Sequence, residues 1–330
     1  MLEHGGRLRE AAARYDIPLA GWLDLSTGIN PQGWPVPPLP PEVWQRLPEE
    51  GDGLEEAAAV YYGNANLLPA AGAQAAIQWL PTLLPRAAVA CISPLYSEHP
   101  LAWQRAGHKV RFLQNALLPR ALAAATPYVL LCNPNNPSAD QHPRAVVIEA
   151  AAQLRQRGGW LIVDEAFVDP TPELSVTPLA GTAAAPNLIV LRSLGKFFGL
   201  AGARVGFVFA GRELLDRLAE ALGPWRVSGP ARAVARLALQ DDAWQAVARQ
   251  RLVADGERLR QLLTPFGEVK ATALFATLNS PHAGELHDYL AGRGIFSRRF
   301  EQQPLLRCGL PGIEADWQRL ATALNDWKPA

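Results

Sequence analysis

Lys196 lies in "SLGKFFGLAGARVGF" (193–207), three residues after Ser193 and eight before Arg204. The chain has 31 basic residues, and its lysines are Lys109, Lys196, Lys270 and Lys328. A protein that otherwise prefers arginine but puts lysine in a Gly-rich turn has a use for an amine that can lose its proton, which a guanidinium does not do. The turn is not a nucleotide loop. "IVLRSLGKF" lacks the first glycine and the hydroxyl residue of G-x-x-x-x-G-K-[ST], and Gly199, Gly202 and Gly206 miss the G-x-G-x-x-G spacing. A loop lysine is ordinarily a solvated charge. Two further motifs argue otherwise, because "CNPNNPS" (132–138) and "VDEAF" (163–167) also follow apolar runs. Asp164 comes straight after "WLIV", where a carboxylate needs a cationic partner or good donors. A protonated ring nitrogen would meet that need, and so would an internal salt bridge.

The elements that must carry these groups are short apolar runs: 88–93, 109–113, 128–133, 160–167, 187–193 and 205–210. Helical periodicity separates several of them, notably over 144–157, which predicts a mainly parallel sheet covered on both faces. The polar motifs then collect at carboxyl ends of strands, where open α/β sheets bind ligands. The link from Ser193 to Val205 is too short for a helical crossover, so those two strands should be antiparallel or far apart in the sheet. The Pro-rich stretch 30–44 resists regular structure. Amphipathic helices follow residue 230, over 244–263 and 314–327. The expected division is an arm and part of a small domain over 1–35, a large domain over 36–225 and a small α+β domain over 226–330.

Together, "NPNNP", "DEAF" and "SLGKFFGLAGARVGF" resemble the class I/II aminotransferases, pyridoxal 5'-phosphate (PLP) enzymes of fold type I, from about Asp24 to Arg307. The resemblance implies a seven-stranded, mainly parallel sheet between helices, with a smaller α+β domain. By it, Lys196 is the Schiff-base lysine that later moves protons at the substrate Cα. Asp164 pairs with the pyridinium nitrogen, and Asn136 bonds the ring 3'-oxygen and contacts substrate. Ser193, Arg204 and the turn Gly72-Ala73-Gln74, which opens a helix with free N–H groups, hold the cofactor phosphate. Tyr96 of "SPLYSEH" stacks on the ring. Arg307 of "PLLRCGLP" forks the substrate carboxylate. Two departures stand out: Phe167 and Leu47 occupy positions where many relatives carry tyrosine, and neither Tyr61 nor Tyr62 is an evident replacement for the latter.

The N-terminal "HGGRLREAAARYDIPLAGWLDLSTGINPQG" (4–33) is more discriminating. It resembles the carboxy-lyase branch of the family, which takes L-threonine O-3-phosphate to aminopropanol phosphate and CO2 in cobalamin biosynthesis. That likeness implies that His4 and Gly5 reach the substrate and that Gly28 sits beside its carboxylate. Arg298 meets the substrate phosphate, with Arg299 as the competing choice. Aminotransferases of the histidinol-phosphate type are the alternative, and a scaffold protein of the same pathway is the non-enzymatic one. The family also implies a homodimer.

The formal charge balances at zero and 49% of residues are apolar, which gives no electrostatic reason to expect nucleic acid or a membrane surface as partner. Cys91, Cys132 and Cys308 are odd in number and far apart, so they suggest neither a disulfide framework nor a clustered metal site. No secretory leader or membrane-spanning run is visible, and the expected compartment is the cytoplasm.

Overall fold

A computed structural model describes residues 4–114, 118–123, 126–301 and 303–328. In chain order its elements are α1 (Leu8–Tyr15), β1 (Leu23–Asp24), α2 (Glu42–Gln45), α3 (Leu54–Tyr62), β2 (Leu67–Ala70), α4 (Ala73–Leu83), β3 (Ala88–Ser93), α5 (Glu98–Arg105), β4 (Lys109–Gln114), α6 (Leu118–Ala123), β5 (Tyr128–Cys132), α7 (Arg144–Arg155) and β6 (Trp160–Asp164). They continue with β7 (Leu188–Ser193), β8 (Gly206–Phe209), α8 (Arg212–Leu222), α9 (Gly229–Leu239), α10 (Asp242–Leu263), β9 (Glu268–Ala271), β10 (Phe275–Asn279), α11 (Ala283–Ala291), β11 (Ile295–Phe296), β12 (Arg298–Phe300), β13 (Leu305–Gly309) and α12 (Glu314–Asp326). Two compact units result. One comprises Trp34–Asn136 and Asp140–Val247; the other comprises the chain up to Gly33, Pro137–Ala139 and everything from Ala248, so the division falls inside α10.

The larger unit is built on a seven-stranded sheet of order β2-β8-β7-β6-β5-β3-β4. All neighbouring pairs are parallel except those made by β8, which runs antiparallel to both β2 and β7. β5 is buried at every residue, as are four of the five residues of β6, the pattern of strands covered on both faces. α8 shows how a flanking helix contributes: Leu214, Leu215 and Leu218 turn into the core and join Ile77 and Leu80 of α4 against Ile189, Leu191 and Val208 of the sheet. On β8, Phe207 and Phe209 are fully buried and meet the ring of Tyr62 at 5.4 and 5.2 Å. Such aromatic pairs contribute about 0.5–1.5 kcal/mol each beyond area burial.

β2, "LLPA", has no counterpart among the six runs read from the sequence. Its Pro69 argues against a strand, but β2 is the sheet's edge, where a missing N–H leaves no ladder bond broken.

The smaller unit carries a four-stranded antiparallel sheet of order β12-β13-β10-β9 and a separate parallel pair, β1 with β11, that joins Leu23 to Ile295. Gly309 makes room for the chain beside it: a Cβ there would stand 2.1 Å from the Thr27 carbonyl oxygen. No helix among the described residues is long and apolar enough to cross a membrane.

Candidate active site

The larger unit contains a cavity of about 150 Å³ lined by Ala73, Gln74, Ile77, Tyr96, Cys132, Asn136, Asp164, Ala166, Phe167, Ser193, Lys196 and Arg204. These residues follow or end β3, β5, β6 and β7, or begin α4. The chain continues from β3 outward to β4, but from β5 it runs the other way through β6 and β7, so the cavity lies at the topological switch point between β3 and β5. The fold therefore brings together every residue of this unit that the resemblance placed around a cofactor, with Gly72 immediately preceding α4.

One end of the cavity is an anion cradle. Gly72 caps α4 at φ 75° and brings no side chain of its own to the helix N-terminus. A Cβ on Gly72 would come within 2.8 Å of an Arg204 Nη, and one on Gly206 within 2.5 Å of the Ala73 nitrogen. Helix N–H groups, a guanidinium and the Ser193 hydroxyl thus converge where only glycine backbone fits, a donor set suited to a phosphate. Arg204 itself is in the left-handed region at φ 55°. Between Ser193 and Arg204 the turn is closed by Leu194 N–H donating to Val205 O at 3.1 Å and Gly199 N–H donating to Lys196 O at 3.2 Å. The Lys196 ammonium stands 5.3 Å from the centre of the Phe167 ring, so the position lacking a tyrosine hydroxyl supplies an aromatic face instead.

The other end is acidic. Asp164 is buried; its Oδ1 accepts from Ala166 N–H at 3.0 Å, and its Oδ2 is 2.8 Å from His99 Nε2. An ionised carboxylate only accepts, so Nε2 carries the proton. Sequence reasoning missed His99. It stands three residues after Tyr96 in a quoted motif, but nothing in its spacing announces that α5 turns it toward a strand end 65 residues on. Tyr96 donates to Gln74 Oε1 at 3.3 Å, and burial, with Glu98 and Asp164 nearby, pushes its phenol up to about 12, so it is neutral.

Glu165 points the opposite way from Asp164, as successive residues at a strand end do. It is fully buried and accepts from Ser175 Oγ at 2.5 Å, Thr177 Oγ1 at 2.7 Å, Val176 N–H at 2.7 Å and Arg192 Nη1 at 2.9 Å. Arg192 also donates to Asp169 at 2.6 Å and lies over the Tyr62 ring, while Tyr61 donates to Asp169 at 2.9 Å. Both tyrosines are engaged in this network, and Leu47 is exposed. Replacing Arg192 by methionine strands two buried carboxylates, so Arg192→Met is expected to lose about 3–5 kcal/mol of unfolding free energy in denaturant titration.

In the smaller unit, Arg307 is buried on β13 and donates to Ser26 O at 2.7 Å. Burial and the charge of Arg298 lower its guanidinium to about 10, still cationic near neutrality. Arg298 is its register partner across β12–β13, whereas Arg299 pairs with Leu306 and reaches toward Asp288 at 3.9 Å. That alternation favours Arg298 as Arg307's companion. Gly5 packs so closely on Ser26 that a Cβ would be 2.2 Å from its carbonyl oxygen, and Gly6 N–H donates to Ser26 Oγ at 2.7 Å. His4, Gly5, Arg298 and Arg299 line one cavity of about 170 Å³. Gly28 is buried just beyond the Leu25–Thr27 stretch that runs beside Gly309.

A threonine-phosphate decarboxylase of Pseudomonas aeruginosa is 53% identical over 330 residues, covering 99% of this chain and 98% of the relative. One from a Sinorhizobium species is 41% identical and covers 97% of both chains. Among solved structures, histidinol-phosphate aminotransferase from Sinorhizobium meliloti in complex with pyridoxal-5'-phosphate superposes with a TM-score of 0.81 over 98% of this chain and 94% of its own, at 21% identity, which speaks for the fold. The profile of aminotransferase class I and II matches residues 22–324, and the chain belongs to that family.

Proposed function

We propose that this protein is a PLP-dependent carboxy-lyase that converts L-threonine O-3-phosphate to (R)-1-aminopropan-2-yl phosphate and CO2, in cobalamin biosynthesis. The observation that carries the reading is the near-full-length 53% identity to a threonine-phosphate decarboxylase, combined with a cavity whose donor set fits the cofactor. Ser193, Arg204 and the N–H groups of Ala73 and Gln74, after Gly72, would hold the cofactor phosphate. Asp164 would pair with the ring nitrogen, Tyr96 would pack on the ring and Asn136 would bond the 3'-oxygen. When bound, PLP would supply the electron sink for bond cleavage at Cα. The chain's own task is to hold the substrate so that its carboxylate is the group lost and to return a proton to Cα. The Lys196 amine carries that proton. Arg307 and Arg298 are the cations for the substrate's carboxylate and phosphate, with His4, Gly5, Gly28 and Asn136 as further substrate contacts.

Purified protein supplied with PLP is expected to release CO2 from L-threonine O-3-phosphate and to form no glutamate from histidinol phosphate and 2-oxoglutarate. Glutamate formation without CO2 release would replace this reading by transamination. If Arg298 is the phosphate ligand, Arg298→Gln raises KM for phosphothreonine by about 10- to 100-fold, in line with a lost charge-assisted bond, whereas Arg299→Gln changes it by less than about threefold. Equal effects in steady-state kinetics would remove the distinction.

A homodimer in the cytoplasm is the assembly we propose. Trp44 on α2 and Val60 on α3 are 69% and 85% exposed, both helices pack on α9, and exposed Trp225 precedes α9. Light scattering should give twice the chain mass, and Val60→Glu should raise the dimer dissociation constant at least about tenfold; a monomeric wild type would refute the assembly.

A further inference from the structure

We infer that His99, Cys132 and Asp164 form a site for one thiophilic divalent cation, Zn²⁺ by its chemistry, which the protein binds in competition with its cofactor. Cys132 and Asp164 are register partners on the adjacent parallel strands β5 and β6, so their side chains emerge side by side on one face. His99, the second residue of α5, closes the group with Nε2 at 2.8 Å from the Asp164 carboxylate. The three donor atoms all lie within 4.8 Å of one another, and all three residues are buried. Ligands of a tetrahedral zinc ion, with bonds of about 2.0–2.3 Å, sit roughly 3.3–3.8 Å apart, so small side-chain shifts suffice.

The donor chemistry selects the metal. One sulfur, one imidazole and one carboxylate suit Zn²⁺, whereas Mg²⁺ and Ca²⁺ require oxygen ligands. A thiolate and a carboxylate together neutralise the dication, which offsets the cost of burying it. On binding, the Cys132 thiol proton leaves to solvent, and the imidazole proton moves from Nε2 to Nδ1 to free the coordinating lone pair. Cys132 and Asp164 also line the cavity, which leaves a fourth coordination position open to water. The competition rests on the cofactor reading above, because Asp164 cannot serve a ring nitrogen and a metal ion at once.

The test uses the full-length protein stripped of cofactor, with Co²⁺ as spectroscopic probe. The expected result is one Co²⁺ per chain and a near-ultraviolet thiolate-to-cobalt band that Zn²⁺ abolishes and excess Mg²⁺ does not. Cys132→Ser should lose the band and Cys308→Ser retain it. His99→Gln, an independent variant, should weaken binding more than about 10-fold. Adding PLP to the cobalt-loaded protein should bleach the band as the cofactor's visible absorption grows. Absence of the band in wild type, or its survival in Cys132→Ser, overturns the metal site. If the band and the cofactor absorption coexist at full strength, competition is overturned. Failure of metal-free wild type to take up PLP would instead sink the cofactor reading, and the cobalt titration would still decide the site.

Discussion

Lys196→Ala is expected to release CO2 from L-threonine O-3-phosphate at least about 10⁴-fold more slowly than wild type, the upper end of what one positioned proton-transfer group supplies. The amine stands among Ser193, Arg204, Asn136 and Asp164 around one cavity, and among the described residues no second lysine lines it. Loss of covalent attachment can be read separately from the rate: borohydride treatment followed by mass spectrometry should show cofactor fixed to wild type and not to the variant. Circular dichroism should be unchanged, since the side chain's removal leaves the turn bonds around it intact. A variant that keeps wild-type CO2 release would refute the role of Lys196.

Asp164→Asn is the second large effect. The change keeps size and removes charge, so kcat is expected to fall about 10²- to 10³-fold, the scale of losing one preorganised electrostatic contact. Stability should fall as well. Asp164 accepts from Ala166 N–H with one oxygen and faces the proton on His99 Nε2 with the other. An amide can accept through only one end, so His99 must either shift its ring proton to Nδ1 or leave a donor facing a donor, at a cost of up to about 1–3 kcal/mol. Rates must therefore be compared well below the unfolding midpoint. An unchanged kcat would mean that the carboxylate serves packing and not chemistry.

Much of this site was legible because each piece is local. Lys196, Asp164 and Asn136 each follow an apolar run, and a parallel sheet brings strand ends together whatever their order in the chain. The short link between β7 and β8 left two choices, an antiparallel pair or strands far apart, and the first is found. Other features depend on non-local geometry. His99 reaches Asp164 only because of the way α5 packs, and Cys132 meets Asp164 through a strand register that no spacing encodes. The Glu165–Arg192–Asp169 network hides inside the motifs themselves, since adjacent residues point to opposite sides and attention falls on the side with the chemistry. β2 escaped because proline is a signal against strands, although the signal weakens at an edge. Arg298 and Arg299 are adjacent in sequence, and only the β12–β13 register shows that Arg298 lies opposite Arg307 and Arg299 opposite Leu306.

The pairing of β1 with β11 also sets a timetable. Leu23 is made 272 residues (295 − 23) before its partner Ile295. At ordinary translation rates that gap is on the order of tens of seconds. Throughout it the larger unit can complete its sheet, because all seven strands lie between residues 67 and 209. The N-terminal arm cannot, and Leu23 and Leu25, buried in the finished molecule, have no strand to join until the last fifth of the chain appears. The arm that carries His4 and Gly5 thus stays without its partner strand for that whole interval.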